Sequence, residues 1–299
     1  MPMPSVPLIF NPVAGRGRAV RQMASVHDEL KRLGVPVTME SSTAPGHIEK
    51  RVRQLAEAGH RAVIVAGGDG SIHEAVNGLL ACDSKTALGV IPLGTGNDFA
   101  KANAIPEHAN DAAELLADRL SGETPTRTVD VGRLNGRYFA NGAGIGFDAK
   151  VSAIAASIRL PIGDLVYLLA VMRGLISGVA TPHMKITFDD QCIEGRFTLA
   201  NFSNGQWVGG MFPIAPMARI NDGLLDLVYA EALSRRRILR LVPTLLKGEH
   251  MREAEVHHVP ITSCHVHASS AVPAHLDGEN LPPQTDFEID LLPGALNLI

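Results

Sequence analysis

Three short segments of the 299-residue chain set glycines beside carboxylate, hydroxyl or amide side chains at spacings that suit phosphate chemistry. The most informative is Ala66-Gly67-Gly68-Asp69-Gly70-Ser71, directly after the apolar run Ala62 to Val65. Tandem glycines permit positive φ and close backbone approach, so their N–H groups can cradle phosphate oxygens, and Asp69 can face the metal ion that accompanies a nucleoside triphosphate. A plain tight turn explains the same local pattern equally well. The second segment, Pro92-Leu93-Gly94-Thr95-Gly96-Asn97-Asp98, offers two glycines, a hydroxyl, an amide and a carboxylate after another apolar run. The third, Asn11-Pro12-Val13-Ala14-Gly15-Arg16-Gly17-Arg18, adds backbone donors and two guanidinium groups ahead of an expected helix N-terminus, where anions are favoured.

Other arrangements of reactive residues are weaker. No G-x-x-x-x-G-K-[ST] loop occurs, and Gly15-x-Gly17 lacks the third glycine of a dinucleotide fingerprint. Asp69, Ser71 and His73 have the residue types of a hydrolase triad, but neighbours two apart on one loop are poorly placed as nucleophile and base. His257-His258 and Cys264-x-x-His267, with His265, lie in a strand-like alternation without zinc-ligand spacing and read as satisfied strand histidines.

The elements that must hold these segments follow from periodicity. Up to about Arg127, β-rich runs (Val6 to Phe10, Val35 to Met39, Ala62 to Val65, Ala87 to Ile91) alternate with helical patterns (Ala19 to Leu33, Ile48 to Ala58). That alternation predicts a parallel sheet with crossover helices, and the three glycine segments then fall at carboxyl ends of strands, where open α/β sheets bind ligands. Beyond Arg127 short alternating runs predict an antiparallel β domain, with a boundary near residue 128. Helices are expected over about Val151 to Gly178 and Ser234 to Lys247. The stretch Leu165 to Ala180 is too short and too interrupted, by Arg173, Gly174 and Gly178, to span a bilayer, and reads as a buried helix or a membrane-touching one.

Composition narrows the class further. With 45% hydrophobic and 19% charged residues the chain can bury a large core, which excludes disordered and collagen-like architectures. A net charge of -4 gives no general attraction to nucleic acid or anionic membrane. Three cysteines without paired spacing suggest a reducing compartment, and the proline-broken start lacks a signal-peptide pattern, so the cytoplasm is expected.

Taken in order, Asn11-Pro12-x-Ala14-Gly15, Gly67-Gly68-Asp69-Gly70-Ser71, Pro92 to Asp98, Gly209-Gly210 through Pro216 to Asp222-Gly223, and Asp277-Gly278-Glu279 resemble the catalytic-domain family of diacylglycerol and sphingosine kinases in its compact bacterial form. The likeness spans nearly the whole chain. It implies an α/β fold: an ATP-binding domain like that of NAD kinases and phosphofructokinases over residues 1–128, completed by 285–299, and a β-sandwich-like lipid-substrate domain over 129–284, with the active site in the cleft between. It further implies an ATP- and Mg²⁺-dependent kinase acting on a lipid hydroxyl. Nucleotide contacts would fall on Asn11, Pro12, Val13, Ala14, Gly15, Thr43, Gly67, Gly68, Asp69, Gly70, Ser71, Ile72, His73 and Thr95, with Gly96 and Asn97 in the same loop. Glu279 would be the catalytic base with Asp277 beside it, and Asp222 with the carbonyls of Arg219 and Leu224 would hold a structural Mg²⁺. The Asp277-Gly278 pair by itself is also a frequent hairpin turn, and Asn221-Asp222-Gly223 may be read as a metal-free turn. Two positions depart from the pattern: Ser71 where threonine is commoner and His73 where asparagine is common. The implied partner is a lipid at the membrane surface, met peripherally at the inner face; nucleic acid is excluded and a homodimer allowed. The rivals are a kinase of soluble substrates related to NAD kinases, and a catalytically silent lipid-binding protein.

Overall fold

The computed structural model describes residues 4–82, 84–158, 160, 163 and 165–299. The first three residues, part of the proline-broken start, lie outside these, as does the side chain of Arg16. The chain divides into two compact units, the first of residues 1–129 and 294–299, the second of residues 130–293.

In the first unit, β1 (Val6–Phe10), α1 (Ala14–Gly17), α2 (Ala19–Arg32), β2 (Val37–Ser41), α3 (His47–Glu57), β3 (Ala62–Gly67), α4 (Asp69–Leu80), β4 (Ala87–Pro92), α5 (Asp98–Ala102) and α6 (Ala109–Ser121) follow one another. The strands pair in parallel: β1 with β2 from Val6↔Val37 to Phe10↔Ser41, β1 with β3 at Leu8↔Ile64, and β3 with β4 from Ala62↔Ala87 to Gly67↔Pro92. Every residue of β3 is buried, which is why it reads as a continuous apolar run rather than an alternation. Ala19, Met23, Val26 and Leu30 recur at helical spacing on α2 and pack with Ala113 and Leu116 of α6 over Leu8, Ile64 and Ile91. The second strand begins at Val37, two residues later than its composition predicts. The N–H of Val35 closes the end of α2 on the Leu30 carbonyl, and Pro36 has no N–H to give a ladder.

The second unit takes in most of β5 (Arg127–Leu134), then β6 (Arg137–Phe139), β7 (Gly142–Gly146), α7 (Phe147–Ser157), α8 (Leu165–Ser177), β8 (His183–Phe188), β9 (Gln191–Ser203), β10 (Leu225–Glu231), α9 (Arg235–Leu246), β11 (Val256–Ile261), β12 (Ser263–Leu276) and β13 (Glu279–Leu298) up to residue 293. The pairings within it are antiparallel. Both β7 and β8 pair with both β9 and β12, so these four strands curl around a shared core of Phe139, Phe188, Phe202 and Phe287. The three helices enclose a core of their own, including Val171, Leu175, Ile238 and Leu241.

One expectation is corrected here and one strand added. The single helix predicted over Val151 to Gly178 is two, α7 and α8. Ile158 is already extended and Gly163 has φ of 60°, and the proline at 161 disfavours helix in the residue before it. The long strand β13 is not foreshadowed above, and it contains Pro282 and Pro283, residues that ordinarily interrupt a strand. They sit between the pairs Ala274↔Leu281 and Val272↔Gln284, where the ladder shifts register and an absent N–H does little harm.

Candidate active site

The three glycine segments of the first unit meet, and at Gly15, Gly67, Gly68 and Gly94 a neighbour leaves no room for a side chain. A Cβ on Gly67 would stand 2.3 Å from Ser71 Oγ, one on Gly94 would stand 2.5 Å from Gly68 Cα, and one on Gly15 would stand 2.6 Å from the Leu93 carbonyl oxygen. Backbone bonds fasten the same loops, from Asn11 N–H to the Ala66 carbonyl (2.9 Å) and from Leu93 N–H to the Gly67 carbonyl (2.8 Å). Asn11 Nδ2 donates to Ser71 Oγ at 3.3 Å. Gly67 and Gly68 do not use positive φ, contrary to the expectation above; Gly68 is extended and α4 starts at once on Asp69. Close packing of three loops, rather than left-handed backbone, is what excludes side chains there.

The result is a set of backbone groups around the first turn of α4, whose leading N–H groups have no partner within the helix. Such a helix start favours phosphate. Asp69 lies partly exposed in that turn and accepts the N–H of Phe99 at 3.2 Å, which ties the start of α4 to that of α5. Asn97 adopts φ of 51° and accepts the Gly94 N–H through Oδ1 at 2.9 Å, shaping the loop in which Thr95 is exposed and Gly96 buried. Pro12 and Val13 flank this set, and the Val13 N–H is held by Asn11 Oδ1 at 3.1 Å. Ala14 and Gly15 open α1. The side chains of Ile72 and His73 are buried, and His73 pairs with Asn77, so these two residues present no side chain to the loop surface. Thr43 follows β2, next to Ser42, whose N–H donates to the Phe10 carbonyl at 2.8 Å, and its hydroxyl is engaged with His47 Nδ1 at 2.8 Å at the head of α3. A residue not singled out from sequence, Glu74, caps α3 by accepting the N–H groups of Gly46 (2.8 Å) and Ile48 (3.0 Å).

In the second unit, Asp277 and Gly278 form the two-residue turn between β12 and β13, closed by the pair Leu276↔Glu279, with φ of 50° and 90°. Both angles lie in the left-handed region that such hairpins demand. The Asp277 carboxylate accepts three backbone N–H groups, from Ala140 (2.9 Å), Asn141 (2.8 Å) and Gly142 (3.0 Å). Its lone pairs are committed to holding the turn, whereas Glu279 is exposed. Around the turn stand residues that sequence reasoning missed. The Gly278 N–H donates to His275 Nδ1 (3.2 Å), Ser152 Oγ donates to the Gly278 carbonyl (2.9 Å), and His275 Nε2 lies 3.2 Å from Asp148 Oδ2. Burial alone would push the Asp148 carboxyl up, but the His275 ring and the Asn201 amide outweigh it and hold it below the ordinary aspartate range. A Cβ on Gly144 would strike this pair, 2.2 Å from Asp148 Oδ2, so the glycine makes room for it.

The Asn221 to Leu224 loop is an exposed turn with Gly223 at φ of 78°. Asp222 Oδ1 accepts the Leu224 N–H at 3.2 Å, and buried Asp130 anchors the loop by accepting the Gly223 N–H at 2.8 Å. Among the described residues no three His, Cys, Asp or Glu side chains gather as a metal site. A carboxylate with backbone carbonyls is an oxygen-only set and suits a hard cation that keeps several waters. His257 and His258 pair with Glu231 (3.0 Å) and Asp226 (2.5 Å) on the neighbouring strand.

Interlocked glycine loops at the ends of a parallel sheet in one unit, and an exposed carboxylate on a fixed turn in the other, are parts that a phosphoryl-transferring enzyme of the kinase class requires. Residues 5–134 match the family described as the diacylglycerol kinase catalytic domain, and residues 142–299 the YegS C-terminal NAD kinase beta sandwich-like domain. A diacylglycerol kinase of Mycobacterium tuberculosis (strain CDC 1551 / Oshkosh) is 34% identical over 98% of this chain and 94% of its own length. One from Bacillus subtilis (strain 168) is 30% identical over 91% and 88%. The crystal structure of a diacylglycerol kinase from Bacillus anthracis str. Sterne superposes with a TM-score of 0.77 at 25% identity, covering 99% of this chain and 96% of that one. The chain therefore belongs to the diacylglycerol kinase and YegS-like family of lipid kinases.

Proposed function

We propose that this lipid kinase transfers the γ-phosphoryl group of ATP, with Mg²⁺, to the hydroxyl of a diacylglycerol-like lipid. The observation that carries the nucleotide half is the mutual exclusion of side chains by Gly15, Gly67, Gly68 and Gly94, which leaves backbone amides to meet phosphate oxygens at the start of α4. Asn11 and the hydroxyls of Ser71 and Thr95 join them, and Asp69 faces the metal. Bound Mg²⁺ neutralises charge on the phosphates. Glu279 accepts the proton of the attacking lipid hydroxyl. It is the better base of the two acids in its turn, because Asp277 is fully engaged in holding the backbone. Asp222, with the Arg219 and Leu224 carbonyls, holds a second, structural Mg²⁺.

The test is Glu279→Gln, assayed with labelled ATP against separated lipids. Turnover should fall by about 10²- to 10⁴-fold with nucleotide affinity retained. Unchanged turnover would reject Glu279 as the base, and phosphorylation of NAD in place of any lipid would reject the substrate class.

Access to such a substrate requires a membrane surface, and the second unit carries a suitable one. Among the described residues no helix is long and apolar enough to cross a bilayer. On α8, Leu165, Met172 and Ile176 are exposed, Ile176 to 77%, at spacings that place them along one face. On α9, Arg235, Arg236 and Arg240 are exposed with Leu239 and Leu246, while Arg237 turns aside to Glu253 and Glu255. Apolar side chains among arginines that have no ion pair among the described residues suit peripheral contact with an anionic leaflet, despite the net negative charge of the chain.

A further inference from the structure

The turn that carries Glu279 is held at the N–H of Asp277 and at both the N–H and the C=O of Gly278, and one of the groups holding it is a buried histidine. Because His275 Nδ1 accepts the Gly278 N–H, the ring proton belongs on Nε2, which faces Asp148 Oδ2 at 3.2 Å. Asp148 is itself fixed by Asn201 Nδ2 at 2.8 Å, and Asn201 by Ser203 Oγ at 2.5 Å. From the other side Ser152, on α7, donates to the Gly278 carbonyl at 2.9 Å. Thus both the N–H and the C=O of the residue immediately before Glu279 are clamped, by side chains from β12 and α7. His275 is 2% exposed, too enclosed to touch a substrate, so any influence on the reaction must pass through the backbone.

We propose that His275 and Ser152 are positioning residues, which clamp the Gly278 peptide and so set the direction of the Glu279 carboxylate, with Asp148 orienting the His275 ring. This rests on the reading of Glu279 as the proton acceptor. A Gly278 free to rotate its peptide would swing the exposed side chain that follows it, and proton transfer is sensitive to misplacement on the order of 1 Å. A group serving stability alone would need no pairing of one acceptor and one donor on the two consecutive peptides that flank the Gly278 Cα.

Paired isosteric variants divide the two functions of the ring. Asparagine carries an acceptor where His275 has Nδ1, and glutamine a donor where it has Nε2. His275→Gln should therefore lower kcat by about tenfold or more with the KM for ATP unchanged, whereas His275→Asn, which keeps the acceptor but loses the contact with Asp148, should lower it by a clearly smaller factor. Ser152→Ala, which releases only the Gly278 carbonyl, should lower kcat in the same way by a smaller factor, and it decides the matter if His275→Gln does not fold. Equal kcat values for the asparagine and glutamine variants, or an unaltered kcat in Ser152→Ala, would overturn the proposal. Glu279→Gln measured alongside separates the two claims: if it retains turnover the base assignment falls, and if it is inactive while His275→Gln and Ser152→Ala are not, only the clamp falls.

Discussion

The glycine loops of the first unit and the Asp277-Gly278 turn of the second both fix a short stretch of backbone, but by opposite means. In the loops, geometry comes from what is missing: three segments approach so closely that no Cβ fits between Gly67 and Ser71, Gly68 and Gly94, or Gly15 and Leu93. In the turn, geometry comes from what reaches in. The His275 imidazole and the Ser152 hydroxyl meet the N–H and the carbonyl of Gly278, while the Asp277 carboxylate reaches out of the turn to the N–H groups of Ala140, Asn141 and Gly142. Steric exclusion tolerates any chemistry that passes over it, which suits a phosphate tail recognised by backbone. Side-chain clamping points a single residue, which suits a base.

The sharpest way to break the first arrangement is Gly94→Ala. Its Cβ would lie 2.5 Å from a backbone atom, Gly68 Cα, so a loop must move rather than a side chain. We expect a loss of about 10²-fold or more in kcat/KM for ATP and about 1–3 kcal/mol of stability, read by steady-state kinetics and denaturant unfolding. Activity near that of the parent would mean that the loops do not need their spacing. For the second arrangement Asp277→Asn is the counterpart. An amide has one acceptor oxygen for three N–H donors and sets its own NH₂ against one of them, which should cost on the order of 2 kcal/mol and remove most turnover. If Asp277→Asn stayed as stable as the parent but inactive, Asp277 would be acting on the substrate and not on the backbone.

The same difference explains what could be read before the structure. Strands of the first unit announce themselves as apolar runs, and Gly67-Gly68, Gly94 and Gly15 are visible as glycines even though the reason for them, loop against loop, is not. The Asp277-Gly278 turn was legible as a turn. Its supports were not, since Ala140 to Gly142, Asp148, Ser152 and His275 are up to 137 positions away and are ordinary residues in their own segments. His275 and Asp148 meet only because β12 pairs with β7, at His275↔Gly144, and α7 follows β7 directly. The two prolines of β13 are a related case, as the register shift that accommodates them belongs to its partner strand. Long-range pairing has no local signature.

A pH series sharpens the comparison on the side of the turn. The Asp148 side chain is only 13% exposed, and its carboxyl is held below the ordinary aspartate range despite the burial that would raise it. A carboxyl with a depressed folded-state pKa contributes stability at all pH values above its unfolded pKa and loses that contribution as the pH falls through the folded value. Asp148→Asn should therefore be less stable than the parent at neutral pH, by about 1–3 kcal/mol, and the gap should close below the ordinary aspartate range. Thermal unfolding from pH 7 to pH 3 reads this directly. A gap that stayed constant across that range would show that the charge of Asp148 does not matter, and that His275 is held by shape alone.

The smallest effect should come from a side-chain clamp on a helix start of the first unit. Glu74 accepts the N–H groups that open α3, from Gly46 and Ile48, in the manner of an N-cap supplied from another helix. Its carboxylate is also well placed against the positive end of the α3 dipole. Glu74→Ala should cost about 1 kcal/mol of stability, read by denaturant unfolding, since α3 keeps its buried face of Ile48, Val52 and Leu55. Because the glycine loops are set by exclusion and not by this cap, kcat and the KM for ATP should stay within about twofold of the parent. A large fall in kcat from Glu74→Ala would mean that the cap of α3 reaches the nucleotide loops, and that the first unit also depends on side chains pointing backbone into place.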